Sequence, residues 1–459
     1  MKAIIINTGK LGVRLAKAMD LEKIEVTLVD DNPKKVERVN EQLDVLTLEG
    51  SGVDISFLKK IEVGKYDLLV ATTDKDDTNI VICNFAKKLG CKKTIARVRG
   101  YEYSQHLSFI KNEIGIDLII NPDFSTASMI TKYLLRDLTY YSGEFANGKI
   151  RLVDLNVRDN KAFIHKKVFQ LEDFQDLLIT AISREDELII PDGSTMIKEN
   201  DTIYVLGAYQ RIDQFARKFK LKGIEKEIKN VMIIGGGNVG YYLADLLSKL
   251  KVNVKLIEQN KYRSQKLTDL LEHVLIINGD GSDLNLLLEE DLEQMHALVA
   301  VTGMDELNLL VSLIAKHHGV SKAIAKVSRE NYTKIINKLH VDAAINPISI
   351  TVSEILKFIR GGKVESISLV LGGEGEISEV IATAEMPCVG LPLNQVGLPK
   401  GILVGAIIHN DEISIASGTS VIMPYDRVIV FVHSSKVNEF KELFILKKGG
   451  LLREIWNRS

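Results

Sequence analysis

The sequence predicts an α/β protein with two doubly wound parallel-sheet domains, each followed by a small α+β domain. Three observations carry this expectation. Short apolar runs that read as buried strands alternate with stretches whose apolar residues recur at helical spacing, and strands alternating with helices imply a parallel sheet. A glycine-rich strand-to-helix turn occurs twice, as Asn7-Thr8-Gly9-Lys10-Leu11-Gly12 after Ala3-Ile4-Ile5-Ile6 and as Gly235-Gly236-Gly237-Asn238-Val239-Gly240 after Val231-Met232-Ile233-Ile234. Matches then continue along the chain at a nearly constant offset. Gly9 pairs with Gly237, Asp30 with Glu258, Asn79 with Asn308, Asn121-Pro122 with Asn346-Pro347, Gly193 with Gly418 and Asp201 with Asp426. Such a pattern is a tandem duplication.

Taken in order, Ala3 to Ile6 reads as a parallel strand, and Val13, Leu15, Ala16 and Met19 mark the helix after the turn. Glu25 to Val29 is a second strand ending at Asp30, and a helix over Lys34 to Leu43 leads to a third strand over Val45 to Leu48. Asp67 to Ala71, a helix from about Asp77 to Leu89, and Thr94 to Val98 continue the alternation. Leu118-Ile119-Ile120 is the last strand, stopped by Asn121-Pro122, and Ala127, Ile130, Leu134 and Leu138 lie on one face of a crossover helix. Beyond Tyr140 the segments become short and alternating, as in Ile150 to Leu155, Leu177 to Ile182 and Thr202 to Leu206, which reads as a small α+β domain. The Lys-rich stretch from about Gln214 to Asn230 reads as a helix end plus linker, and the pattern then repeats. Expected boundaries are 1–140 and 229–362 for the parallel-sheet domains, 141–222 and 363–446 for the small domains, and 447–459 for a terminal tail, docked or frayed, that holds Trp456.

Composition excludes several function classes. Among 459 residues, 59 Lys and Arg stand against 61 Asp and Glu for a net charge of −2, with both signs scattered, so no footprint for duplex nucleic acid is present. No stretch approaches the roughly 18–20 uninterrupted apolar residues of a membrane-spanning helix, and the N-terminus starts with a strand-like run rather than a leader. A soluble, intracellular chain is expected. Cys83, Cys91 and Cys388 lack C-x-x-C spacing, which argues against a disulfide framework or a zinc site.

Gly235, Gly237 and Gly240 fit G-x-G-x-x-G, the Rossmann-like turn that brings backbone N–H groups and a helix N-terminus up to a diphosphate. Glu258, at the end of the next strand, has the place and chemistry to accept both hydroxyls of an adenosine ribose. It also repels a 2′-phosphate, since two like charges about 4 Å apart cost on the order of 4 kcal/mol at an effective dielectric near 20. NAD is favoured over NADP on this ground, and ATP or ADP would fit equally. Asn7 replaces the first glycine in the first repeat, and asparagine tolerates left-handed backbone angles better than other residues with a side chain. Lys10 reads either as a phosphate contact or as an exposed turn lysine.

At the carboxyl edge of the sheets, Thr73 and Thr302 face the expected crevice, with Asp74 beside the first. Asp76, Asp77, Asp305 and Glu306 fit helix capping or ligand contact. Ser51 matches Asp280, placed to read an adenine or ribose edge, and Arg97 matches Lys326, placed either to offset phosphate charge or to form an ion pair. No acid–base pair, nucleophile or metal-ligand spacing assembles. His165, His409 and His433 have no repeat partner, and no H-E-x-x-H or G-x-S-x-G is present.

Together, N-T-G-K-L-G and G-G-G-N-V-G, the strands ending in Val29-Asp30 and Ile257-Glu258, Asp76-Asp77-Thr78-Asn79 and Asp305-Glu306-Leu307-Asn308, and Ala96-Arg97-Val98 and Ala325-Lys326-Val327 resemble the KTN/RCK regulatory domains. Two of them, each with a small RCK C-terminal domain, resemble the TrkA family of peripheral subunits of Trk potassium uptake systems. The resemblance implies a non-catalytic regulator at the inner face of the cell membrane that binds NAD(H) and adenine nucleotides. It also implies a homotetrameric ring that gates a membrane-embedded TrkH/TrkG-like potassium transporter. Family nucleotide contacts fall on Gly9, Asp30, Ser51, Thr73 and Arg97, and on Gly235, Gly237, Gly240, Glu258, Asp280 and Thr302. The competing expectation is an NAD-dependent oxidoreductase that uses the small domains as substrate pockets.

Overall fold

The structure is a computed structural model. It describes residues 1–104, 106–135, 144–146, 149–159, 163–171, 174, 176–185, 187–219, 228–329, 332, 341–361, 364–370, 374–410 and 412–445. The tail over 447–459 and most of the linker lie outside the described residues. By contact the chain divides into two compact units, one holding two parallel sheets and the other two antiparallel sheets.

In the first unit the chain runs β1 (Lys2–Ile6), α1 (Lys10–Leu21), β2 (Glu25–Asp30), α2 (Pro33–Asn40), β3 (Leu46–Glu49), α3 (Ile55–Lys60), β4 (Leu68–Ala71), α4 (Asp76–Lys88) and β5 (Lys93–Arg97). The short helices α5 (Tyr101–Ser104) and α6 (Leu107–Ile114), then β6 (Leu118–Ile120) and α7 (Pro122–Leu135), complete it. Strand order is β3-β2-β1-β4-β5-β6, all parallel, so the winding reverses between β1 and β4 and opens a crevice at their carboxyl ends. Ile6 pairs with Val29 on one side and Ala71 on the other, which puts the turn after β1 at the middle of that edge. The strands are apolar because both faces are covered. Ile4, Ile6, Leu69, Ala71 and Ala96 pack on one face with Leu58, Ile82, Cys83 and Ala86. Each large aliphatic side chain so buried contributes roughly 1.5–3 kcal/mol.

The duplicate is β12 (Asn230–Ile234), α9 (Asn238–Lys249), β13 (Asn253–Glu258), α10 (Lys261–Leu270), β14 (Val274–Asn278), α11 (Leu284–Glu289), β15 (Ala297–Ala300), α12 (Asp305–His317), β16 (Lys322–Lys326), β17 (Ala343–Ile345) and α13 (Pro347–Arg360). Its sheet order, β14-β13-β12-β15-β16-β17, is the first order repeated. Helix α7 of the first repeat packs along α9 of the second.

The second unit is built of β7 (Glu144–Phe145), β8 (Ile150–Asn156), β9 (Leu177–Arg184), β10 (Glu187–Ile189), β11 (Thr202–Ala208) and α8 (Tyr209–Lys218), and of β18 (Val364–Val370), β19 (Gly375–Ile381), α14 (Leu393–Val396), β20 (Ile402–His409), β21 (Glu412–Ile415), β22 (Arg427–His433) and α15 (Val437–Phe444). The sheets run β10-β9-β11-β8-β7 and β18-β19-β22-β20-β21 and are antiparallel. Ile150, Leu152, Leu206 and Phe145 of one share a core with Ile377, Ala406, Ile429 and Phe431 of the other. The fold class expected from the sequence is the one observed.

Each parallel sheet carries a staple not anticipated from the sequence. Asp117 accepts from Lys87 Nζ at 2.8 Å and from the Thr94 N–H at 2.8 Å, tying α4, β5 and the approach to β6. Asp342 repeats it with Lys316 Nζ at 2.9 Å and the Ala323 N–H at 2.7 Å. Burial pushes the Asp117 carboxyl up, but Lys87 and Thr94 outweigh it and hold the group below the usual carboxylate range. A depressed folded-state value stabilises the fold above the unfolded pKa of about 3.9 and loses that contribution as pH falls through the folded value. We therefore expect Asp117→Asn to cost about 1–2 kcal/mol at pH 7 and progressively less below about pH 3.5. Urea unfolding at both pH values checks this, and an equal loss at both would refute it.

Candidate functional site

In the second repeat the ends of five neighbouring strands converge on one crevice. Gly235, after β12, has φ +104°, and a Cβ there would sit 3.0 Å from the Thr302 nitrogen. Gly240 lies in the first turn of α9, where an added Cβ would meet the Gly235 carbonyl oxygen at 2.0 Å. These two glycines let the helix start against the strand end. Gly237 is the N-cap and offers no side-chain acceptor, and nothing lies within 4 Å of where its Cβ would be. The start of α9 thus has no side-chain cap and open space beside its N-cap, the arrangement that receives an anion. Val239 is buried, so it belongs to the turn through its backbone alone.

Glu258 closes β13 and is partly exposed. Its Oε2 accepts from the Gly236 N–H at 2.7 Å and its Oε1 from the Asn260 N–H at 2.7 Å, which fixes the carboxylate and leaves further lone pairs. Arg263 Nε donates to the Gly236 carbonyl at 2.7 Å. Asp280, beyond β14, accepts from the Ser282 N–H and hydroxyl, bonds that hold its carboxyl below the usual range. Thr302, beyond β15, donates through N–H and hydroxyl to Asn308 Oδ1, and Asn308 Nδ2 donates to the carbonyls of Thr302 and Lys326. Lys326 ends β16. Burial pushes its ammonium pKa down, with Asp123 and Asp305 opposing and Arg99 reinforcing the shift.

The first repeat has the same frame with different contents. Asn7 has φ +86°, the left-handed value expected of it. Its Nδ2 donates to the Thr72 carbonyl at 3.0 Å and its Oδ1 accepts from the Gly9 N–H at 3.1 Å. Gly12 repeats the close approach, with an added Cβ 2.1 Å from the Asn7 oxygen. Asp30 Oδ2 accepts from both the Thr8 N–H and the Thr8 hydroxyl at 2.8 Å, and Oδ1 from the Asn32 N–H at 3.0 Å. Asp30 is only 3% exposed. Burial raises its carboxyl pKa, and Thr8, Asn32 and Lys35 outweigh that and lower it. Thr73 hangs on Asn79 as Thr302 does on Asn308. Arg97 takes the ion-pair role, donating to Asp74 Oδ1 at 3.0 Å and to the Thr73 carbonyl at 2.6 Å. Lys10 is exposed, Leu11 is buried, and Ser51 is partly buried behind β3.

Three groups of residues carry roles that the sequence reading did not assign. Asp76 and Asp305 neither cap their own helices nor stand free, since each accepts two backbone N–H groups from the loop after the fifth strand, Arg99 with Gly100 and Ser328 with Arg329. Asp123 accepts from Arg99 Nε at 2.7 Å and from Asn238 Nδ2 at 3.2 Å, so the first repeat grips the glycine turn of the second. Beside it the Tyr242 hydroxyl bonds Asn121 Nδ2 at 3.0 Å and the Arg99 carbonyl at 3.2 Å, and its ring meets Phe124 edge-on. Asn121 was legible as a repeat marker. Its partner across 121 residues was not. Of the unmatched histidines, His409 bonds Asp426 at 2.6 Å where the first small domain has Arg184 on Asp201. Among the described residues no group of three His, Cys, Asp or Glu side chains is placed to hold a metal.

The profile of the TrkA-N domain matches residues 3–122 and again 231–347, and that of the TrkA-C domain matches 152–220 and 377–445. The chain belongs to the TrkA family. A TrkA relative from Methanosarcina mazei, "Trk system potassium uptake protein TrkA homolog 2", is 34% identical over 452 residues, covering 97% of this chain and all of its own. TrkA of Haemophilus influenzae is 31% identical over 454 residues, covering 97% and 98%. Among solved structures the GsuK RCK domain aligns with a TM-score of 0.57 at 18% identity over 96% of this chain and 94% of its own. The GsuK channel bound to NAD aligns with the same score at 17% identity over 96% and 78%. These two establish likeness of fold.

For this TrkA-family chain, Gly240→Ala should destabilise the second parallel-sheet domain by about 3 kcal/mol or more, because a strand-end carbonyl cannot move aside. Gly237→Ala, with open space around it, should cost at most about 1 kcal/mol. Chemical denaturation of the two variants checks the contrast, and equal losses would show that the close approach is not the constraint.

Proposed function

We propose that this chain is a non-catalytic, nucleotide-responsive regulatory subunit of a Trk-type potassium uptake system. The observation that carries the reading is the open cradle of the second repeat, where Gly237, the first turn of α9, Glu258, Asp280 and Thr302 meet at the sheet's carboxyl edge. Relatives of full length are named as Trk potassium uptake proteins, and a fold neighbour carries NAD.

In this reading a diphosphate of NAD(H), ATP or ADP lies on the amides of Gly237 to Gly240. The ribose hydroxyls go to Glu258, the adenine edge lies near Asp280, and Lys326 offsets phosphate charge. Four chains close a homotetrameric ring on the inner face of the membrane beneath a TrkH/TrkG-like transporter. Ligands then act only through their differential affinity for two ring geometries. A shift from 1:99 to 99:1 requires about 5.5 kcal/mol of that difference. Asp123 on Asn238 and the α7–α9 packing provide a route by which occupancy of the second cradle reaches the first repeat.

The test is Glu258→Ala. Removing the ribose acceptor should weaken NADH and ADP binding at least about tenfold, equivalent to about 1.4 kcal/mol, with the melting temperature little changed. Calorimetric titration reads the affinity, and potassium uptake by cells that depend on this subunit reads the consequence. Unchanged affinity would sink the assignment.

A further inference from the structure

We infer that the cradle of the first repeat is closed by its own side chains, so that each chain takes one nucleotide, in the second repeat. This rests on the nucleotide reading proposed above. At the phosphate position, the Gly9 N–H is already bonded to Asn7 Oδ1 at 3.1 Å, and the Asn7 amide lies 3.4 Å from where a Gly9 Cβ would be. The equivalent space at Gly237 is empty to 4 Å. Asn7 thereby supplies, from inside the protein, the oxygen that a phosphate would supply in the second repeat. Its other end is fixed on the Thr72 carbonyl at 3.0 Å, so the amide is not a loose cover.

At the ribose position the change is paired. Gly236 has no side chain, and a Cβ there would lie 3.0 Å from Glu258 Oε2 and 2.5 Å from Leu267 Cδ1. Thr8 stands at the Gly236 position and Asp30 at the Glu258 position. The acid one methylene shorter leaves room for the threonine, whose hydroxyl spends one more acceptor site on it at 2.8 Å. The result is an acid 3% exposed beneath a threonine 7% exposed. A nucleotide entering here would have to break the Asn7–Gly9 and Thr8–Asp30 side-chain bonds before making its own. Each such exchange forfeits a satisfied hydrogen bond, part-buried at Asn7 and buried at Asp30.

Calorimetric titration of the full chain with NADH, and separately with ADP, tests this by stoichiometry. The natural chain should bind one molecule per chain, and Glu258→Ala should keep no site of the natural affinity, its one molecule binding at least about tenfold more weakly. Asn7→Gly with Thr8→Gly should bind two, and the same pair combined with Glu258→Ala should weaken one of the two at least about tenfold and leave the other unchanged. Two molecules per chain in the natural protein, or one molecule bound by Glu258→Ala with the natural affinity, would overturn the inference while leaving nucleotide binding by the chain intact. No binding by the natural chain with one site gained on opening the first turn would uphold the inference and remove the reading of the second repeat. No binding in either would remove both. Should the doubly opened chain not fold, the natural and Glu258→Ala chains decide the matter without any change in the first repeat.

Discussion

The crevice of each parallel sheet depends on one fully buried asparagine. Asn79 and Asn308 are 0% exposed, and each makes four hydrogen bonds, two accepted by Oδ1 and two donated by Nδ2. They join the loop after the fourth strand to the last carbonyl of the fifth. Leaving one such polar group unsatisfied in the interior costs about 1–3 kcal/mol, so the amide admits one arrangement. Asp76 and Asp305 extend the same bracket to the following loop. The threonines, the fifth-strand cations and the contact with the neighbouring repeat all take their places from it.

Much of the fold was legible because local rules and the duplication agree. Alternating apolar runs and helical spacings fixed the element order, and the reversal of that order places the crevice. Asn7 was readable as a left-handed position from its side chain alone, and its φ is +86°. What could not be read were partners distant in sequence. Asp117 finds Lys87 and Thr94, and Asp123 finds Asn238, only after the sheet has formed. Asn79 and Asn308 stood out as a matched pair, yet nothing in the sequence distinguishes a ligand contact from an internal bracket. Arg97 left two readings open, and its guanidinium donates to the carbonyl of Thr73 and the carboxylate of Asp74.

The repeats have diverged in pairs of residues that touch. Thr8 with Asp30 stands against Gly236 with Glu258, and Arg184 with Asp201 against His409 with Asp426. In both cases a buried acid or its partner changes size while the hydrogen bond is kept. In the first pair both members change, since a side chain at Gly236 would run into Glu258; in the second the acid is kept and a histidine replaces the arginine as its partner, so the buried acid stays compensated. Sequence offset alone equates these positions, and only their neighbours show that the equation fails chemically.

Tyr242 carries a consequence for the chain as a genetic object. The residue is 4% exposed, Phe124 meets its ring edge-on, and its hydroxyl bonds Asn121 and the Arg99 carbonyl, all three from the other half. A fragment cut at the linker and expressed as the second half alone would present that aromatic face and a lone hydroxyl to water, beside an Asn238 with no carboxylate to hold it. Such a surface favours capture of another α7-like helix or insolubility.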